Sequence, residues 1–108
     1  MLIPATKEVS ALTKTYYHAT EFSNLDSIRE KGLLRGQFGH IYLADSFEGA
    51  ARFVALRCRD ILVLAIDLEE DLLTESFDHS EAFFQCRAFT YDEDIPLTDI
   101  REARLCQI

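Results

Sequence analysis

The sequence predicts a small α+β fold, with two helices in its N-terminal half and about five short, mostly antiparallel strands. The length of 108 residues suits a single domain. Hydrophobic residues make up 48% of the chain and charged residues 28%, as in ordinary globular proteins. Two segments have apolar residues at helical spacing and the others have strand-like runs. We expect one domain over residues 1–108, with an N-terminal arm at 1–14 and a core at 15–108.

The first elements after the arm are an aromatic strand and a capped helix. Residues 16–19 predict the strand, because they are short, aromatic and followed by turn-forming residues. Ser23 is the predicted N-cap of the helix, and Asp26 favours its first turn. Lys31 suits the last turn, and Gly32 is placed to end the helix as a C′ glycine.

The second strand and second helix have the same order. Residues 40–44 predict the strand, and Asp45 or Ser46 is expected to cap the helix over residues 47–57. Four apolar residues recur there at helical spacing: Phe47, Ala50, Ala51 and Val54. These residues are expected to pack against the sheet.

The C-terminal half predicts the remaining strands. Residues 61–66 are apolar at every position, which is typical of a strand that is buried on both faces. The acidic segment 67–71 is predicted to be a solvated turn. Residues 87–91 alternate as a strand, and a last strand places Ala103 and Leu105 on one side.

Charge and hydropathy exclude several classes of function. Eleven Lys and Arg stand against nineteen Asp and Glu, a net charge of −8, which disfavours non-specific nucleic-acid binding without excluding a small basic pocket. No apolar run approaches the ~20 residues of a membrane span, so no membrane partner is expected. The N-terminal residues lack the pattern of a signal peptide. We therefore predict a cytoplasmic protein.

Cysteine and histidine spacing do not indicate a metal site or a disulfide framework. The chain has three cysteines and no C-x-x-C motif, so buried thiols are expected. His18, His40 and His79 are scattered along the sequence, with no i, i+4 pair. No metal is predicted.

Two strand ends have the pattern that indicates a function. Tyr17-His18-Ala19-Thr20 lies at the first strand, and its helix is followed by Gly32-Leu33. Residues 40–46 read His-Ile-Tyr-Leu-Ala-Asp-Ser and precede an alanine-rich helix. In this order the motifs resemble the ADP-ribosyltransferase superfamily over about residues 16–100. Residues 54–67 and Ile95-Pro96 also resemble elements of this superfamily, the former in its RNA 2′-phosphotransferase branch.

The resemblance implies a split, mainly antiparallel sheet with a cleft that holds NAD. It assigns His18 to a ribose hydroxyl of the adenosine half, the backbone of Ala19 to the nicotinamide carboxamide, and Tyr42 to stacking on the nicotinamide. Thr20 matches the small hydroxyl residue beside the histidine, and Arg57 matches a basic position after the second helix. The residue types suit these roles, because a neutral imidazole both donates and accepts and an aromatic face attracts a cationic ring.

The family also has a third-strand glutamate that holds the second ribose and stabilises an oxocarbenium-like transition state. The corresponding place in this chain lies near Ala88 or Phe89, neither of which is acidic. The RNA 2′-phosphotransferase branch lacks the glutamate as well. We therefore predict that Glu81 brings a carboxylate to the cleft and that Tyr42 and Glu81 are the catalytic residues.

The predicted function is transfer of ADP-ribose from NAD to an unidentified acceptor, with release of nicotinamide. Two alternatives remain open. One is an enzyme similar to the RNA 2′-phosphotransferases. The other is a non-catalytic module of the same fold that binds a nucleotide or a protein.

Overall fold

The computed structural model describes residues 13–36, 39–76 and 86–107. Within these ranges the chain forms six strands and two helices: β1 (Thr13–Glu21), α1 (Leu25–Lys31), β2 (Ile41–Ala44), α2 (Phe47–Ala55), β3 (Asp60–Glu69), β4 (Thr74–Ser76), β5 (Ala88–Tyr91) and β6 (Ile100–Gln107). The strands form one antiparallel sheet in the order β4-β5-β2-β1-β3-β6. The predicted α+β class is confirmed. No helix in the described ranges is long and apolar enough to cross a membrane.

The core lies on both faces of the sheet, and β3 contributes to both layers. Residues 61–66 are each at most 6% exposed. Leu62, Leu64 and Ile66 belong to the apolar layer that includes Ile28 of α1. The alternate residues of β3 face the layer that includes Ala50 of α2, because successive side chains of a strand point to opposite faces. The prediction of a strand buried on both faces is confirmed.

The first helix ends as predicted but begins later. Ser23, the predicted N-cap, lies inside a 3-10 turn over Phe22–Asn24, and α1 starts at Leu25. The chain leaves β1 through this turn, and the side-chain amide of Asn24 donates to Thr20 Oγ1 at 2.7 Å. Gly32 has a φ of 77° and ends the helix. A Cβ at Gly32 would approach the carbonyl oxygen of Ile95 to 2.6 Å, so both its conformation and its surroundings favour glycine.

The second helix has the cap that the sequence predicts. Ser46 Oγ accepts a hydrogen bond from the backbone N–H of Gly49 at 3.0 Å. Ala50 and Ala51 are 1% and 7% exposed, so the helix lies close against the sheet. The helix ends at Ala55, two residues before the predicted end.

Three boundaries differ from the predictions. β1 begins at Thr13, so its first two residues belong to the sheet rather than to the arm. The acidic segment is not wholly a turn, because β3 continues to Glu69. Asp67 is paired with Thr15 of β1, and its carboxylate accepts hydrogen bonds from Thr15 Oγ1 and Arg101 Nη2, each at 2.7 Å. Strand β4 was not predicted.

The sheet is split between β1 and β2. Strand β1 pairs with β3 over nine consecutive residue pairs, from Thr13 opposite Glu69 to Glu21 opposite Ile61. With β2 it shares a single pair, Tyr17 opposite Ala44. Beyond that pair the two strands diverge, and we call the gap between them the split.

Candidate functional site

Two cavities open at the split, and we name them by the helix beside each. The α2-side cavity has a volume of about 480 Å³ and the α1-side cavity about 440 Å³. Both volumes are in the range of small-molecule sites. The two cavities share four lining residues, namely His18, Thr20, Tyr42 and Arg57. This shared wall makes them two halves of one cleft, and the sequence had singled out all four residues.

His18 spans the split with its ring. Its Nδ1 lies 2.7 Å from the backbone oxygen of Tyr42. A carbonyl oxygen only accepts hydrogen bonds, so Nδ1 carries the proton and donates it. Burial lowers the pKa of His18, and the bond to Tyr42 opposes that shift only in part. At neutral pH the ring is therefore uncharged, and its Nε2 is an acceptor.

The backbone of β2 explains why a side chain can bridge the gap. The N–H of Asp45 donates to the carbonyl oxygen of Arg87, on the side of β2 away from β1, at 3.1 Å. Backbone groups of successive residues point to alternate sides of a strand, so Ala44 and Tyr42 turn theirs toward β1. The carbonyl of Tyr42 therefore faces the split, where it accepts the bond from His18.

The same alternation directs the backbone of Ala19 into the split. Tyr17 is paired with Ala44, so a continued ladder would pair Ala19 with Tyr42. That pair does not form, because the strands have diverged and the imidazole of His18 occupies the Tyr42 oxygen. The N–H and C=O of Ala19 thus face the α2-side cavity, which Ala19 lines. An amide-bearing ligand can bond to both groups.

Tyr42 is held beside a second histidine. The rings of His40 and Tyr42 are nearly perpendicular, at 87°, with centroids 4.8 Å apart. The Nε2 of His40 is buried and has no hydrogen-bond partner among the described atoms. His40 lines the α1-side cavity, so a polar ligand there would meet a polar atom that is costly to leave unpaired.

Arg57 is the basic residue of the cleft. It follows α2, lines both cavities and is exposed. Four other basic residues have ion-pair partners within the described residues, in the pairs Lys14–Glu70, Arg35–Asp94, Arg87–Glu75 and Arg101–Asp67. Arg57 forms no such pair with a described carboxylate. Its guanidinium is therefore placed to bind a phosphate group in a chain that is acidic overall.

The structure adds an acidic residue that the sequence analysis did not select. Glu21, the last residue of β1, is the one described acid that lines either cavity. It follows Thr20 directly, but only the pairing with Ile61 and the position of the split place it at the α2-side cavity. The predicted acid, Glu81, lies outside the described residues. Phe53 and Val54 of α2 form the apolar wall of the same cavity.

The resemblance predicts an acidic third-strand position near Ala88 or Phe89, and in the structure both of these residues belong to the core. Phe89 is 3% exposed, and its ring packs edge-on against Tyr16 with centroids 5.3 Å apart. The next residue, Thr90, lies opposite Tyr42 in the β2–β5 ladder. Strand β5 therefore brings no carboxylate to the cleft.

No protein-family model matches this chain, and no curated protein is similar enough to count as a match.

Proposed function

We propose that the cleft binds NAD and that the protein transfers ADP-ribose from NAD to an acceptor, with release of nicotinamide. One observation carries the proposal. His18 and Tyr42, to which the resemblance to ADP-ribosyltransferases assigns contacts with NAD, line one cleft at a gap in the sheet. The backbone of Ala19 faces the same gap.

The chemistry of each half of the cleft suits one part of the dinucleotide. Nicotinamide fits the α2-side cavity, where Tyr42 offers an aromatic face for a cationic ring and Ala19 offers backbone partners for a carboxamide. The uncharged ring of His18 accepts a hydrogen bond from a ribose hydroxyl through Nε2. Arg57, which borders both halves, binds the diphosphate.

The proposed reaction breaks the bond between the nicotinamide nitrogen and the ribose carbon. The electron pair of that bond leaves with nicotinamide, and the ribose carbon becomes oxocarbenium-like. An acceptor hydroxyl or amine then forms the new bond and loses its proton. A carboxylate near the ribose stabilises the positive charge, and Glu21 and Glu81 are the two candidates for this group.

A non-catalytic module that binds NAD or ADP-ribose is the second candidate function. The burial of Phe89 at the third-strand position favours it, because the family's stabilising carboxylate is missing from that strand. In this case the cleft binds the nucleotide and no nicotinamide is released.

Calorimetric titration with NAD and with ADP-ribose tests binding, and a nicotinamide-release assay tests catalysis. Arg57→Gln is expected to weaken NAD binding by about tenfold or more, since it removes a charge-assisted contact to phosphate. Arg59→Gln is the matched control, because Arg59 is exposed and lines neither half of the cleft. Binding without release supports the non-catalytic module, and no binding of either nucleotide rejects both candidates.

A further inference from the structure

Strand β6 forms a long open edge of the sheet. It is the last strand in the sheet order, and no described strand lies on its outer side. None of its eight residues is buried. The opposite edge, β4, has only three residues. Edge strands present unpaired backbone N–H and C=O groups, which are a template for pairing with another strand.

We propose that β6 pairs with β6 of a second copy of this chain, antiparallel and centred on Ala103, so that two sheets join into one. The inference is independent of the proposed function. It rests on the length of the open edge and on the charges that β6 carries. A two-fold pairing of this kind uses the same surface on both copies.

The backbone restricts where such a pairing can be centred. From Glu102 to Gln107, where β6 pairs regularly with β3, outward N–H and C=O groups recur at every second residue, so a regular two-fold ladder is centred on a residue and not between two residues. Centring on Glu102 places two carboxylates opposite each other. Centring on Arg104 places two guanidinium groups opposite each other. Centring on Ala103 places Glu102 of each copy opposite Arg104 of the other, which gives two pairs of opposite charge.

The other contacts of β6 fit the same register. Glu102 and Arg104 lie on one face of the sheet, opposite Ala65 and Val63 of β3. The guanidinium of Arg104 lies 4.8 Å from the centroid of the Phe47 ring, and this contact helps to hold its side chain. Both residues belong to the edge strand and project from the same face of the sheet as α2.

The two-fold pairing involves the regular part of β6. The register of β6 on β3 shifts between Ala65 and Ile66, whose partners are Glu102 and Ile100, so Arg101 has no Cα partner on β3. The side chain of Arg101 is bonded to Asp67 within the same copy and takes no part in the charge pairs of the interface. The central pairs, Ala103 with Ala103 and Glu102 with Arg104, lie within the regular part of the strand.

Sedimentation equilibrium of the whole 108-residue chain tests the proposal, and we expect a species of twice the 12.4 kDa mass of the chain. Arg104→Glu places a carboxylate opposite Glu102 at two points of the interface and is expected to weaken the dimer by about tenfold or more. The double variant Glu102→Arg, Arg104→Glu restores both pairs and is expected to restore dimerisation. Arg29→Glu, on the exposed surface of α1, is the matched control.

The double variant also separates charge pairing from folding, because it lacks the contact of Arg104 with Phe47 just as Arg104→Glu does. Glu102→Arg alone keeps that contact and places like charges opposite each other, so it is expected to weaken the dimer as well. A parent chain that remains monomeric up to about millimolar concentration overturns the proposal. Equal dimerisation of the parent and Arg104→Glu, or a double variant that stays monomeric, also overturns it.

Discussion

Strand β1 has one neighbour on each edge, and the two pairings differ sharply. Toward β3 it forms nine consecutive residue pairs, and toward β2 it forms one. His18 is paired with Leu64 of β3, while its ring reaches across the split to the carbonyl of Tyr42. The cleft therefore exists because backbone pairing between β1 and β2 stops early and a side-chain hydrogen bond takes its place.

The sequence of the neighbours accounts for much of the difference. Strand β3 has a continuous apolar run of six residues, which is stabilised by burial on both faces. Strand β2 has only four residues and is held by β5 on its other side through four residue pairs. Asp45 strengthens this hold, because its N–H donates to the carbonyl of Arg87 and its carboxylate accepts the N–H of Arg87 at 3.0 Å.

The largest expected effect comes from a substitution on the β3 side of β1, and it is compared with a substitution at the split. The two residues are paired with each other, so both changes lie at the same position along β1. Leu64→Ala removes a fully buried side chain and is expected to lower the free energy of unfolding by about 2–5 kcal/mol. His18→Ala removes one hydrogen bond and is expected to cost about 0.5–1.5 kcal/mol, with loss of NAD binding. Urea unfolding and calorimetry measure the two effects. Equal destabilisation by both substitutions would indicate that His18 is a structural residue.

The next prediction concerns catalysis in the cleft at the split. If Glu21 stabilises the ribosyl cation, Glu21→Gln lowers the rate of nicotinamide release by about 100-fold or more, while the affinity for NAD changes little. The same measurement on Glu81→Gln tests the acid that the sequence predicted. Glu48→Gln, on the exposed side of α2, removes an equal charge as a control. Unchanged release in Glu21→Gln and Glu81→Gln would reject both acids.

A smaller effect is expected where α2 packs against β2 and β3, the two neighbours of β1. Ala51 is 7% exposed and belongs to the apolar layer that includes Ala44 of β2 and Val63 of β3. Ala51→Leu overpacks this layer and is expected to lower the free energy of unfolding by about 1–3 kcal/mol. Urea unfolding measures the change, and an exposed position such as Arg52→Leu serves for comparison. A neutral result for Ala51→Leu would contradict the close packing of α2.

The smallest effect is the pH dependence of the histidine at the split. Burial lowers the pKa of His18 below its ordinary value of 6.5, so the unfolded chain binds the proton more readily than the folded chain does. The stabilising contribution of the neutral ring is complete above pH 6.5 and declines as the pH falls through the lower pKa of the folded state. Urea unfolding at pH 7.5 and 5.5 is expected to show a larger loss of stability in the parent than in His18→Gln. Equal losses would show that the ring is not buried in its neutral form.

Features set by neighbouring residues could be predicted from the sequence. Gly32 ends α1 and Ser46 caps α2, because each depends on the backbone a few residues away. Strand β4 escaped prediction because three residues carry no detectable periodicity. The acid at the cleft escaped for a different reason: Glu21 reaches it through strand pairings that join distant parts of the chain.

The long pairing of β1 with β3 has a consequence for the order of folding. Thr13 and Glu69 are 56 residues apart, and Glu21 and Ile61 are 40 apart. Closing such long segments costs conformational entropy before the contacts form, which slows folding. During translation, the ribosome completes both helices and β2 before any residue of β3 has been made. The nascent chain therefore carries the residues that line the cleft before it carries the strand that makes their fold stable.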